Sequence, residues 1–210
     1  MGILKLNEVR REISKMTIIH LTGPSLAGKS YLIEKLKDEY NTEHTNRVLS
    51  WTMLEWYFNS GCMDEDLNMD WDLYTNTERH HLADDVISFC TYNEWAPILI
   101  FESSGINHQL NKVLEEYDPL LITLHTPTKE LVIDRAKKRN IDPEKQLRFN
   151  MMWRDRFFKK FPHQDAVSQE KAIELIATKL CCPICGTPRD TNTDLCCLPY
   201  ELGQDDADCT

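Results

Sequence analysis

The chain has 210 residues, 41% of them hydrophobic and 28% charged, a balance that excludes a disordered or coiled-coil protein and leaves room for one domain with an appendage. Its 24 basic and 34 acidic residues give a net charge of −10, which argues against a general nucleic-acid coat but not against a local basic groove. No apolar run approaches the roughly 20 residues of a bilayer-spanning helix, so no membrane partner is expected.

Residues 1–16 form a short amphipathic extension without an apolar signal core, and Leu6 stands where a myristoylation signal needs Ser or Thr. A soluble, cytoplasmic protein is the expectation. Residues 17–22 are a compact β-branched run that predicts a buried strand, leading directly into Gly23. The helix predicted from Lys29 carries Leu32, Ile33 and Leu36 on one face. Residues 47–52 read as a second strand, followed by Trp51, Trp56, Tyr57, Phe58, Trp71 and Tyr74 in an aromatic-rich stretch. Aromatic faces stack on nucleobases, so this stretch is a candidate base pocket, although core packing is their commoner fate.

A helix over 78–92 shows Leu82, Val86, Ile87 and Phe89 as its apolar stripe. Residues 97–101 predict a third strand ending at Glu102-Ser-Ser-Gly105. A short helix over 111–117 precedes a fourth strand over 120–124. Thr128 caps a helix reaching Arg139, residues 143–161 form one or two more, and 168–180 read as a last amphipathic helix. Strands alternating with helices predict a three-layer α/β domain over 17–180, a parallel sheet with helices on both faces.

Charge is uneven along the chain. Residues 64–72 carry five acids and no base, 134–160 carry ten bases against four acids, and from Asp190 onward there are six acids and no base.

Residues 23–30, GPSLAGKS, match the phosphate-binding P-loop pattern between a predicted strand and helix. Gly23 and Gly28 let the backbone curl so that its N–H groups converge on phosphate oxygens at the positive end of a helix. The expected nucleotide-binding set is Gly23, Pro24, Ser25, Leu26, Ala27, Gly28, Lys29, Ser30 and Tyr31, with Lys29 on the outer phosphates of ATP and Ser30 on Mg²⁺. Glu102 ends the third strand, where a carboxylate faces the ligand crevice of a parallel sheet. It can hold the magnesium shell or take a proton from an acceptor hydroxyl, with Glu55 as the alternative base. Ser103 and Ser104 are candidate acceptor contacts, and His80 and His81 read as helix surface.

This order of strand, P-loop, acceptor region, acidic strand end and then DRAKKR over 134–139 resembles a small P-loop kinase of the nucleoside and nucleotide kinase type, over about 160 residues. The resemblance implies a lid over about 134–160, in which Arg135 and Arg139 clamp the transferring phosphoryl group and Arg148, Arg154 and Arg156 follow. Basic groups closing over phosphates stabilise developing charge and exclude water. The Asp-Gly-Phe-Pro-Arg stretch of adenylate kinases is absent, as is the Asp-Arg-Tyr-like pair of thymidylate kinases; Glu102-Ser-Ser lacks the arginine of the deoxynucleoside kinase Glu-Arg-Ser.

Six of the eight cysteines fall in the last 30 residues. CPIC over 182–185 with Gly186 is half of a zinc-ribbon knuckle, and it predicts a small C-terminal module over 181–210. The expected zinc ligands are Cys182, Cys185, one of Cys196 and Cys197, and Cys209. Zinc would give so short a segment a fold that its own core cannot supply. With the added ribbon, the chain is similar to phage P-loop kinases that phosphorylate hydroxymethyluracil within DNA. That likeness implies a nucleoside-type acceptor held in a polymer, and a host cytoplasm as the site of action. A free nucleoside or nucleotide kinase, a P-loop ATPase or switch, and a zinc-dependent DNA-binding scaffold are the alternatives.

Overall fold

The structure is a computed structural model that describes residues 16–64 and 69–180. Its centre is a five-stranded sheet in the order β2-β3-β1-β4-β5, with every strand pair parallel. The strands are β1 (Thr17–Thr22), β2 (Val48–Thr52), β3 (Ile98–Glu102), β4 (Leu120–Leu124) and β5 (Ala166–Val167). In register, Leu21 of β1 lies beside Glu102 of β3, and Thr52 of β2 flanks Glu102 on its other side. The C-terminal ends of β1, β2 and β3 therefore meet at one edge of the sheet.

Helices cover both faces, so the expected three-layer α/β architecture is present. On one face α1 (Lys29–Tyr40) and α7 (Gln169–Leu180) bury Leu32, Ile33, Leu36, Ala172 and Ile176 against Ile19, Leu21, Ile100 and Ile122. The other face is covered by α2 (Met53–Asn59), α3 (Trp71–Tyr92) and α4 (His108–Glu115), packed on Ile18, Leu99 and Phe101. Strands buried on both faces read as continuous apolar runs, which is why β1 and β3 are legible without alternation. Two further helices, α5 (Lys129–Lys138) and α6 (Pro143–Lys160), lie against the loop that follows β1, where Leu26 packs on Val132 and Ala136.

Helix starts follow side-chain caps. The Thr128 hydroxyl accepts the N–H of Leu131, and Asp142 accepts those of Glu144 and Lys145 ahead of Pro143. The same chemistry corrects three boundaries. Asp70 caps α3 at Leu73, so this helix begins at Trp71 rather than 78. Asn107 caps α4 at Leu110, which moves its start from 111 to His108. Thr52 accepts the N–H of Glu55, opening α2 inside the aromatic stretch. The buried stripe of α3 also differs: Leu82, Val86 and Cys90 face the core, whereas Ile87 is exposed. In place of one or two helices over 143–161 there is one, Pro143–Lys160, with Phe161 as its C-cap. The two-residue β5, paired to Thr123 and Leu124, is too short to leave a sequence signal.

Among the described residues no helix is long and apolar enough to cross a membrane. Residues 1–15 and the cysteine-rich module at 181–210 lie outside the described residues.

Candidate functional site

The loop between β1 and α1 rises from the C-terminal end of a central strand, and its backbone is unusual. Gly28 has φ 94, and Leu26 has φ 63, a left-handed conformation that a non-glycine residue adopts at a cost of roughly 1–2 kcal/mol. Leu26 is held there by burial of its side chain and by Arg135, whose Nη1 donates to the Leu26 carbonyl at 2.5 Å. Asn150 of α6 donates to the Ser25 carbonyl at 3.2 Å, and Gln169 of α7 donates to that of Ala27 at 2.8 Å. Three successive carbonyls of the loop are thus bound from outside, which leaves its shape over-determined.

Lys29 folds over the loop, donating to the carbonyls of Gly23 and Pro24, both at 3.1 Å. Its Nζ lies 3.8 Å from the Glu102 carboxylate. Burial lowers its pKa from the ordinary lysine value; Glu102 opposes the fall and Arg139 adds to it. Ser30 donates to the same carboxylate, at 3.3 and 3.1 Å to its two oxygens. A hydroxyl and a carboxylate converging at the start of a helix form a hard-oxygen donor set that suits Mg²⁺, so Ser30 and Glu102 are the residues present to hold it.

The remaining expected site residues are more dispersed. Tyr31 is exposed on α1. Arg135 is committed to the Leu26 carbonyl, whereas Arg139 is the exposed C-cap of α5, close enough to Lys29 to influence its charge. Arg148, Arg154 and Arg156 lie exposed on α6. Glu55 is exposed near the start of α2. His81 is exposed on α3. Cys182, Cys185, Cys196, Cys197 and Cys209 lie outside the described residues, and among the described residues no group of three or more His, Cys, Asp and Glu gathers as a metal site.

The acceptor region departs from expectation. Ser103 is buried, with its Oγ 2.7 Å from Nε2 of His20, rather than open to an acceptor. Ser104 offers its carbonyl to the indole N–H of Trp153 at 2.6 Å. Trp56 is a core residue whose Nε1 donates to Asp85 at 2.8 Å; Trp51 packs on Phe101, and Tyr57 meets Tyr74 edge to face. These aromatic groups are engaged with the protein's own core; Phe58 is exposed. Sequence reasoning missed His20, which lies on β1 itself, and Asn150, Trp153 and Gln169, whose places depend on helices meeting the site from distant parts of the chain. The only local sign was a lone histidine inside a β-branched strand.

A cavity of about 260 Å³ opens beside the loop, between Ala27, the 125–128 turn, Arg135 and Gln169. The fold and this site define a three-layer α/β protein with a glycine-bounded loop facing a strand-end carboxylate. No protein-family model matches the chain, and no curated protein is significantly similar to it. Among solved structures it is similar to one described as the crystal structure of APE1195, 14% identical, covering 77% of this chain and 93% of that one at a TM-score of 0.41.

Proposed function

We propose that the chain is an ATP-dependent phosphotransferase of the P-loop kinase type that acts on a hydroxyl of a nucleoside-type acceptor, with hydroxymethyluracil in DNA as the first candidate. The observation that carries this reading is the convergence of Ser30 and Lys29 on the Glu102 carboxylate at the mouth of the 23–30 loop. Backbone N–H groups of the loop would hold the phosphates, and Lys29 would exchange its two carbonyl partners for phosphate oxygens. The cavity beside Ala27 and Arg135 is the place for the adenine ring. Mg²⁺, held from Ser30 and Glu102, supplies neutralisation of phosphate charge when bound.

In the transfer step the acceptor oxygen forms a bond to the γ-phosphorus while the bond from that phosphorus to the bridging oxygen of ADP breaks. The hydroxyl proton passes to Glu102, and Arg139 adds positive charge at the site. Glu55 is the alternative proton acceptor, and turnover unchanged in E55Q would exclude it. A polymer acceptor is favoured by the exposed basic side chains of α6 and by the cysteine-rich segment beyond Leu180.

The deciding experiment supplies labelled ATP with hydroxymethyluracil-containing DNA, normal DNA, and a panel of free nucleosides and nucleotides. Label entering only the modified DNA is the expected result. Label entering only the free compounds would replace the DNA reading with a free nucleoside or nucleotide kinase. ATP hydrolysis indifferent to every acceptor would leave an ATPase or switch.

A further inference from the structure

The three residues after Glu102 are each held by a buried side chain from a different element. Ser103 Oγ meets His20 of β1 at 2.7 Å and accepts the N–H of Gly105 at 2.8 Å. The Ser104 carbonyl accepts the indole N–H of Trp153 on α6 at 2.6 Å. The Gly105 carbonyl accepts the Asn111 amide of α4 at 2.8 Å, and the buried Oδ1 of Asn111 has no partner among the described residues. Gly105 has φ 77, and a Cβ on it would come within 2.6 Å of the Phe157 ring, which stacks on Trp153 with centroids 4.9 Å apart. The turn that carries the carboxylate is therefore seated under α6.

The same helix grips the phosphate-loop side. Asn150 lies three residues before Trp153, on the same helical face. It donates to the Ser25 carbonyl at 3.2 Å and is itself oriented by the Gln146 amide at 3.0 Å. All three of Gln146, Asn150 and Trp153 are buried. One face of α6 thus ties the loop bearing Lys29 and Ser30 to the turn bearing Glu102.

We infer that Trp153 is a positioning residue: through the Ser104 carbonyl it sets where the Glu102 carboxylate stands relative to Ser30, and with Asn150 it makes α6 a strut between the two halves of the site. The inference rests on reading Ser30 and Glu102 as the magnesium side of a nucleotide site. A carboxylate whose supporting shell is removed drifts from the geometry that its partner and metal require, which typically weakens metal affinity about 10- to 100-fold.

The test is calorimetric titration of the full chain with ATP, in Mg²⁺ and separately in EDTA. In wild type, Mg²⁺ tightens ATP binding. Trp153→Phe keeps the aromatic stack on Phe157 but removes the N–H. It should hold affinity in EDTA within about twofold while losing about tenfold of the gain due to Mg²⁺. Replacing Trp153 by 3-benzothienylalanine keeps ring size and removes only the donor; it should behave likewise, and it decides the matter if Trp153→Phe does not fold. An unchanged Mg²⁺ gain, or equal losses with and without Mg²⁺, would overturn the inference. Wild-type protein showing no Mg²⁺-dependent ATP binding would overturn both it and the kinase reading. Mg²⁺-tightened binding without transfer to any acceptor would remove the kinase reading alone, and the role of Trp153 would still be decided by the same titrations.

Discussion

Gln169, the first residue of α7, donates its amide to the Ala27 carbonyl at 2.8 Å, and the same Nε2 occupies the place where a Cβ on Gly28 would stand. Gly28 also has φ 94, backbone that side-chain-bearing residues rarely adopt. Gly28→Ala therefore meets a conformational cost of about 1–2 kcal/mol and, separately, a displaced Gln169. In a double-mutant cycle read by chemical denaturation, Gly28→Ala should cost more in wild type than in a Gln169→Ala background, without becoming neutral there. A Gly28→Ala protein as stable as wild type would contradict the account of this loop.

Among the described residues Lys29 donates to two loop carbonyls and lies near one carboxylate, so its removal leaves the hydrophobic core untouched. Lys29→Ala is expected to keep its thermal unfolding transition while losing about 100-fold or more in phosphoryl transfer. Ser30→Ala, which removes a hydroxyl 3.1 Å from Glu102, should raise the Mg²⁺ concentration needed for half-maximal turnover without abolishing ATP binding in EDTA. Transfer rates measured across a Mg²⁺ series, beside ATP titrations in EDTA, check both. Unchanged turnover in Lys29→Ala would remove the kinase reading.

The loop, its flanking strand and helix, and the acidic strand end were legible because each leaves a local signature: β-branched residues in 17–22, glycines at 23 and 28, and a carboxylate closing an apolar run at Glu102. The capped start at Asp70 was missed because the apolar period that follows it is weak, and that at Asn107 because an Asn alone is as much a turn signal as a helix signal. Ser103 illustrates the other failure. Its position beside Glu102 suggested contact with an acceptor, yet His20 lies 83 residues away in sequence and only 2.7 Å away in space. Trp56 likewise fell to the core, since burying its ring and pairing its N–H with Asp85 satisfies both halves of an amphipathic side chain.

The zinc proposal rests on spacing alone and has its own measurement. The two-residue spacing between Cys182 and Cys185 would let two thiolates reach one ion, with one of Cys196 and Cys197, and Cys209, as the other proposed ligands. Protein purified without chelators should contain about one equivalent of zinc by elemental analysis. Serine replacements at 196 and 197, made separately, should show that one of them lowers the zinc content and the other does not. Zinc-free protein would remove the ribbon.

His20 gives the fold a pH dependence whose sign can be worked out. Burial, with a smaller contribution from the charge of Lys160, lowers its pKa from 6.5 to about 3. Gly105 donates to Ser103 Oγ, so the arrangement that satisfies every group has the serine hydroxyl donating to an unprotonated Nε2. In the unfolded chain the imidazole titrates near its ordinary value. Between these two values the unfolded state binds a proton that the native state refuses. The stabilisation is therefore fully present above about pH 6.5 and is lost progressively as pH falls toward about 3. Protonating Nε2 also takes away the acceptor for the Ser103 hydroxyl, loosening the turn that follows Glu102. In urea denaturation across a pH series, His20→Asn should be less stable than wild type at pH 7.5 yet lose less stability on acidification, its slope lower by up to about one proton. Identical slopes for the two proteins would mean that His20 carries no such linkage.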